Sequence, residues 1–318
     1  MERAARRLAR GLLRGVPVVV TLLALGTPGA RAQDLLGALE SLRASYQALE
    51  SVHLVASAEI FIGSDPTGTS AAGMGEFEYW AEEDRYRIAC RTPPRLGLAP
   101  NVQVAFNGAL FQLLLEEMAT LSIQAADARQ LPVALPNPLF LPLDFVSPDD
   151  SECDGCALRM TDLKALELWD RRVSAARVDR PAGSNNAGWR SLRMPGGVVE
   201  GEPYQYRLFL EDPGPQARLR RIERLSDSDE VLLTIELDDY RLAQGAPFRF
   251  PHKINVKLHA PDSDDLAMEL TYTIQTLEVD RPLAEEVFTL EVSEDIKIWD
   301  SDTRRFVEPD PASLKPKG

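Results

Sequence analysis

The sequence has very little of the side-chain chemistry that catalysis and metal binding require. Its 318 residues include only three cysteines and three histidines. His53, His252 and His259 have no partner at the spacing of a metal site or a catalytic triad, so we interpret them as structural or solvent-exposed. The chain also lacks a nucleophile elbow, a P-loop, a dinucleotide-binding glycine motif and an H-E-x-x-H pair. We therefore expect a protein that is not an enzyme and that holds no metal and no cofactor.

The cysteines leave one reactive-looking motif, formed by Cys153 and Cys156 in the tetrapeptide CDGC. Such a pair can be a redox centre when it opens a helix, because a helix N-terminus lowers the pKa of a thiol. Here the acidic neighbours act to raise the thiol pKa, and no β-α-β context surrounds the loop. A small structural disulfide is therefore favoured, and a thiol oxidoreductase is kept as a third hypothesis. Cys90 is predicted to be a buried free thiol.

Positive charge is scarce beyond the first 32 residues. The whole chain has a net charge of −14. Removal of residues 1–32 takes away six arginines and one glutamate and leaves a net charge of −19. Nucleic acids and anionic membrane surfaces repel such a chain, so we expect no nucleic-acid partner.

The first 32 residues have the three parts of a cleavable signal peptide. A basic segment that includes Arg3 and Arg14 precedes the apolar run Val16–Leu25, and Ala30-Arg31-Ala32 supplies the cleavage pattern. The apolar run is too short to span a bilayer, and no cysteine follows for a lipid anchor. We predict that residues 1–32 are removed and that the mature protein is periplasmic or secreted; an uncleaved anchor is the alternative.

The remainder of the chain shows the two-residue period of β-strands. Ile254, Val256 and Leu258 alternate with polar residues, and after a polar turn the alternation resumes from Met268 to Ile274. Such runs indicate antiparallel strands with one apolar and one solvated face. Similar runs occur throughout, and we predict about ten strands or more in one domain of residues 33–307, followed by a disordered tail of residues 308–318.

Helical periodicity is confined to the segment from Asp34 to Glu50, where leucines recur at spacings of three and four. Residues 125–146 are rich in proline and in large apolar side chains, and they are expected to form one or two short helical turns. The helix and these short turns can cover only a small part of the apolar face of so many strands, unless the sheet closes on itself. The shortage of cover hints at a hydrophobic cavity.

Several of these segments, taken in order, resemble the periplasmic outer-membrane lipoprotein carrier (LolA/LolB-like) superfamily. They are LLGALESLRASYQALESVHL near the start, then GEFEYWAEEDRYRI and NVQVAFNGALFQL, and finally DDYRLAQGAPFRFPHKINVKL and LEVDRPLAEEVFTL. The resemblance implies a mainly β (α+β) fold, a half-open antiparallel β-barrel of about a dozen strands with helices covering the concave face. It also implies an apolar lumen that holds acyl chains. The chain departs from this pattern by additional sequence around residues 147–201.

The leading hypothesis is a periplasmic, non-enzymatic carrier or binding protein for lipoprotein acyl chains or another hydrophobic ligand, with an outer- or inner-membrane protein as a further partner. The alternative is an interaction or sensor module that recognises a protein partner with the same barrel and a filled core. Leu35 to Leu49 and Leu139 to Val146 are the candidate lids. The expected ligand-binding residues are Phe77, Tyr79, Tyr86, Ile88, Phe106, Ile254, Val256, Leu270, Tyr272 and Ile274.

Overall fold

The computed structural model describes most of the chain after residue 34. The described residues are 35–41, 44–45, 48–63, 71–83, 85–91, 101–125, 138, 175–179, 189–199, 202–211, 218–245, 249–260, 266–293 and 295–308. The predicted signal peptide, the Cys153 and Cys156 pair, the lid candidate at 139–146 and the predicted tail from residue 309 onward lie outside these residues.

One sheet of fifteen strands contains the described β-structure. The strands, numbered in chain order, are β1 (Ser51–Ile62), β2 (Ala71–Glu82), β3 (Arg85–Arg91), β4 (Asn101–Phe106), β5 (Leu110–Leu115), β6 (Thr120–Ala125), β7 (Arg177–Asp179), β8 (Trp189–Val199), β9 (Glu202–Glu211), β10 (Arg218–Ser226), β11 (Val231–Leu242), β12 (Arg249–His259), β13 (Leu266–Val279), β14 (Lys297–Asp300) and β15 (Arg305–Val307).

The order of strands across the sheet is β15-β14-β6-β5-β4-β3-β2-β1-β13-β12-β11-β10-β9-β8-β7. Neighbours are antiparallel, except that β14 runs parallel to β6. The described strands end at β7 on one side and β15 on the other, so the sheet is open, as the resemblance implied. The prediction of about a dozen strands was too low. β7, β14 and β15 have only three or four residues each, which is too short to leave a periodic pattern in a sequence.

Helical structure is limited. Residues 35–41 and 44–45 are α-helical, as the leucine spacing predicted, and short 3-10 helices cover Glu116–Met118 and Glu285–Phe288. The second lid candidate lies outside the described residues, so the expected helical cover of the concave face stays a prediction. No helix in the described part of the chain has the length and hydropathy of a bilayer span.

Alternation along the strands separates the two faces of the sheet. In β1, Leu54, Ala56 and Ala58 are buried while Glu59 is exposed. Buried side chains from β1–β5 and β8–β13 form one continuous core cluster on the same face. We call this surface the apolar face and the opposite surface the outer face.

A second, smaller cluster lies on the outer face at the β6 end of the sheet. Leu290 and Ile298, from the segment after β13, pack there against Leu114 and Leu121. The backbone N–H of Leu290 donates a hydrogen bond to Oε1 of the buried Gln112 (2.9 Å). The segment after β13 therefore crosses the outer face before it adds β14 and β15 beside β6.

Phe288 should be essential to this crossing. Its ring is fully buried and lies 4.7 Å below the guanidinium carbon of Arg85. Phe288→Ala should lower the free energy of unfolding by about 3–5 kcal/mol, because it removes a buried ring and leaves a cavity. Urea unfolding at neutral pH measures the change. Phe306→Ala is the matched control, since Phe306 is 59% exposed. Equal losses in the two variants would contradict the role of Phe288.

Candidate functional site

The ten residues predicted to bind a ligand all lie together on the apolar face. Nine of them are buried members of the continuous core cluster, and each of the nine is no more than 6% exposed. Tyr86 is half-buried and packs against the same cluster. The sheet thus brings together residues that are up to about 200 positions apart in the sequence. Their role in binding stays a prediction.

Two alanines of β1 make room for large rings at the centre of this face. Ala56 lies opposite Phe77 of β2, and Ala58 lies opposite Tyr272 of β13. The rings of Phe77 and Tyr272 meet edge to face across β1, with centroids 5.9 Å apart. Such edge-to-face contacts suit the ring quadrupoles and fix the position of both rings. The centre of the apolar face is therefore an ordered aromatic surface.

Tyr272 and Cys90, near the centre of this face, are held in their neutral forms. Burial raises the pKa of the Tyr272 hydroxyl, and the neighbouring Cys90 raises it further. Burial also raises the pKa of the Cys90 thiol to about 11, so this half-buried free cysteine is a thiol at neutral pH rather than a nucleophilic thiolate. Neither group therefore places a charge on the apolar face at neutral pH.

The N-terminal helix contributes to the same cluster. Leu35 and Leu39 are fully buried in it, together with Ala38. These side chains follow the i, i+3, i+4 spacing that places them on one helix face. The helix therefore lies with its apolar side against the core of the sheet, which is where a lid would have to lie.

The ten predicted residues come from only five of the eleven strands that form this face. Tyr204, Tyr206, Leu208 and Leu210 of β9 belong to the cluster, as do residues of β8, β10 and β11. Their alternation was visible, and it predicted the strand. It could not show which strands share a face with the chosen ten residues, because that depends on the order of strands in the sheet.

The outer face of β7–β12 carries a network of ion pairs. Arg207 bridges Asp179 (Nε to Oδ2, 2.7 Å) and Glu223 (Nη1 to Oε2, 3.2 Å). Further along, Glu236 accepts hydrogen bonds from Arg221 (2.8 Å) and Lys257 (2.9 Å). Cross-strand pairs of opposite charge stabilise neighbouring strands modestly. The network gives the sheet a solvated side opposite its apolar side.

A polar cleft of about 620 Å³ lies within this network. Arg220 and Lys257 in the cleft are paired with carboxylates at 2.8 and 2.9 Å. Within the described residues, no group of histidine, cysteine, aspartate and glutamate side chains is arranged to hold a metal ion. The lining residues are Glu59, Trp189, Arg220, Glu236, Leu237, Asp238, Lys253, Asn255, Lys257, Glu269 and Thr271.

Each histidine has a structural contact, and Nε2 of His259 lies 3.4 Å from Oγ1 of Thr234. His53 stacks on Trp80 with centroids 5.3 Å apart, and its Nε2 lies 2.9 Å from Oε1 of Glu78. His252 is buried, with Nδ1 3.0 Å from the carbonyl oxygen of Phe250. These contacts agree with the structural interpretation made from the sequence.

Comparisons with known proteins give similarity in three-dimensional structure alone. No family model matches the chain, and no curated protein matches it. Similar solved structures include a domain assigned to outer membrane lipoprotein sorting from Vibrio parahaemolyticus, with 13% identity, a TM-score of 0.45, and coverage of 81% of this chain and 97% of that one. A LolA superfamily protein from Nitrosomonas europaea has 10% identity, a TM-score of 0.43 and coverage of 80% and 97%. Lipoprotein LppX from Mycobacterium tuberculosis has 10% identity, a TM-score of 0.29 and coverage of 81% and 99%.

The superfamily of the Nitrosomonas protein is also the one that the sequence resembles. The similar structures share 13% identity or less with this chain. With TM-scores below 0.5, they carry no argument about ligand, partner or location, and these are inferred below from the geometry of the sheet.

The ion-pair network predicts a dependence of stability on pH. Burial acts to raise the pKa of Glu236, but the hydrogen bonds and charges of Lys257 and Arg221 outweigh it, and the pKa is lowered from its ordinary value of 4.5. The ion pairs therefore stabilise the fold fully above that value, and this contribution is lost as the pH falls through the lower folded pKa.

Glu236→Gln should lower the free energy of unfolding at neutral pH and weaken its decline toward acid pH. We expect a change of about 1 kcal/mol or less, because the pair is partly exposed and screened. Urea unfolding at a series of pH values measures it. Glu59→Gln is the control, since Glu59 is exposed and takes part in none of these ion pairs. An identical pH profile in Glu236→Gln and the parent protein would refute the assignment.

Proposed function

We propose that the protein is a periplasmic, non-enzymatic binding protein whose apolar face holds the acyl chain of a lipid or lipoprotein. One observation carries the proposal: an open sheet has a continuous apolar face to which eleven strands contribute. A protein that needs only a packed core can close such a sheet or pack a second layer on it. The resemblance of the sequence to lipoprotein carriers implies the same class of ligand.

The energetics suit a reversible carrier. Each methylene moved from water to an apolar surface contributes about 0.8 kcal/mol, so ten methylenes contribute about 8 kcal/mol. Immobilisation of the ligand costs about 4 kcal/mol or more. The free energy that remains, about 4 kcal/mol or less, corresponds to reversible binding, provided that little free energy is needed to uncover the apolar face.

The N-terminal helix supplies a cover that can be exchanged. Leu35 and Leu39 occupy part of the apolar face, so a ligand at that position has to displace them. A helix that competes with the cargo couples binding to opening and assists release. We propose this helix as a lid. The second lid candidate, Leu139 to Val146, and a membrane-protein partner stay part of the proposal.

The burial of the predicted ligand-binding residues favours a second candidate function. Nine of the ten are at most 6% exposed, which is also what an interaction or sensor module with a permanently filled core requires. In that case the outer surfaces, rather than the apolar face, recognise a protein partner. The two candidates differ in whether a hydrophobic ligand enters the apolar face.

Native mass spectrometry of the mature protein from the periplasm of its own host, followed by organic extraction, separates the two candidates. A co-purifying lipid or acylated protein would support the carrier and identify its cargo class. An empty protein that also fails to bind a fluorescent fatty acid would overturn the carrier and leave the interaction module.

A buried carboxylate at the centre of the apolar face should abolish ligand binding. Tyr272→Glu places a carboxylate between Ala58 and Ile254 at a buried position, so affinity for a fluorescent fatty acid should fall at least a hundredfold. Thr273→Glu is the matched control, because the next residue of the same strand is exposed on the outer face. Circular dichroism checks that both variants fold. Unchanged affinity in a folded Tyr272→Glu protein would show that the ligand does not contact this face.

Weakening the lid should have the opposite effect. Leu39→Ala removes a fully buried side chain that a ligand has to displace, so affinity for the fatty acid should rise about tenfold or more, even though stability falls by about 2–5 kcal/mol. Leu121→Ala is the control for stability, because Leu121 is equally buried but belongs to the outer cluster. Titration of the fluorescent probe measures both. Lower affinity in Leu39→Ala would mean that the helix forms part of the binding surface instead of competing for it.

A further inference from the structure

Cations also occur on the apolar face. Arg190 of β8 lies opposite Leu210 and is exposed, whereas Arg224 is half-buried. Arg224 of β10 pairs with Tyr206 of β9 and with Leu233 of β11. Residues directly opposite each other in neighbouring strands have side chains on the same face. Tyr206 is a buried member of the apolar cluster and Leu233 packs against it, so the Arg224 side chain lies on the apolar face and not among the ion pairs outside.

The surroundings of Arg224 form an apolar row that crosses seven strands. The row continues from Leu233 through Leu258 and Met268 to Ile62 on one side, and through Tyr206 to Met194 on the other. Arg224 is its single charged member. Leu233, Leu258, Met268 and Ile62 are half-buried, whereas the central residues of the face are nearly inaccessible. This end of the apolar face is therefore its more accessible end.

Among the described residues, no carboxylate is a counter-ion of Arg224. No hydrogen bond or ion pair joins its guanidinium group to the part of the chain that the structure describes, and Nε is buried without an acceptor. Its contact is with the ring of Tyr204, whose centroid lies 5.6 Å from the guanidinium carbon. Arg207 and Arg221, on the other face of the same strands, each contact two carboxylates. Carboxylates of the described residues thus pair with Arg207 and Arg221 on the outer face, but not with Arg224 on the apolar face.

An unpaired charge on an apolar surface is energetically unfavourable. An arginine side chain can bind a planar or tetrahedral oxyanion through two parallel hydrogen bonds. A ligand with an anionic head and an acyl chain would match both the charge of Arg224 and the apolar side chains of the row. Its head would pair with Arg224, and its chain would cover Leu233, Leu258 and Met268, a span of about 15 Å at about 4.8 Å for each strand.

We infer that Arg224 anchors the anionic head of an amphiphile whose acyl chain lies on the accessible end of the apolar face. The inference rests on the proposed function and adds the class of head group to it. A carboxylate and a phosphate ester share the required chemistry, since both present oxygens with delocalised negative charge.

Isothermal titration with hexadecanoate, hexadecyl phosphate and uncharged hexadecanol tests the anchor. The parent protein should bind the two anions at least tenfold more tightly than hexadecanol, and the tighter anion identifies the head group. Arg224→Met should remove this preference while it leaves hexadecanol affinity within about twofold. Arg224→Lys should keep part of the preference, since the charge remains without the planar fork. Arg249 is an exposed arginine on β12, and Arg249→Met is the control. It should change neither the preference for anions nor the affinity for hexadecanol.

A thermal unfolding scan separates an anchor from a structural arginine. Without ligand, Arg224→Met should melt at the same or a higher temperature than the parent protein, because an unpaired charge has been removed. A lower melting temperature together with an unchanged anion preference would overturn the inference and assign Arg224 to packing on Tyr204. Equally tight binding of inorganic phosphate would also overturn it, since no acyl chain would then be needed. If none of the three amphiphiles binds the parent protein, the proposed function itself fails.

Discussion

The pairing of β1 with β13 is the constraint on which the architecture depends. The two strands lie more than 200 residues apart, yet each residue of β1 from Val52 to Ile62 has a partner in β13 apart from the shift at one bulge. β2–β6 extend from one side of this pair and β12–β7 from the other. Because side chains alternate with a period of two, this single register decides which residues of both halves share the apolar face. A shift of one position would place Tyr272 outside and Thr273 inside.

The two faces of the sheet differ in their side chains. On the apolar face, the small side chains of Ala56 and Ala58 in β1 allow the rings of Phe77 and Tyr272 on the neighbouring strands to meet, so an aromatic surface forms. Outside, cations and carboxylates pair across the six strands β7–β12 and keep that side solvated. Arg224 departs from this division, because it lies on the apolar face and pairs with no carboxylate of the described residues. The proposed anchoring of an anionic head group would account for its position.

An open sheet also has to protect its two edges, since unpaired strand edges invite association with other chains. Both described edge strands are only three residues long, which leaves few free backbone groups. At the β15 edge, the segment that crosses the outer face holds β14 in place through Ile298 and through the hydrogen bond from the Lys297 N–H to the Ala119 carbonyl. The same crossing therefore completes the outer core and limits the exposed edge.

The sequence by itself determined the local structure of this protein. Period-two alternation predicted the long strands, and leucine spacing predicted the helix. Alternation also selected ten residues that do meet on one face. It could not reveal β7, β14 or β15, which are too short to show a period, or the crossing that buries Phe288. Only the tertiary structure decided that β9 and β10 share the apolar face and that Arg224 lies on it without a counter-ion among the described residues. Both facts depend on contacts between distant strands, and such contacts leave no mark in a local pattern of residues.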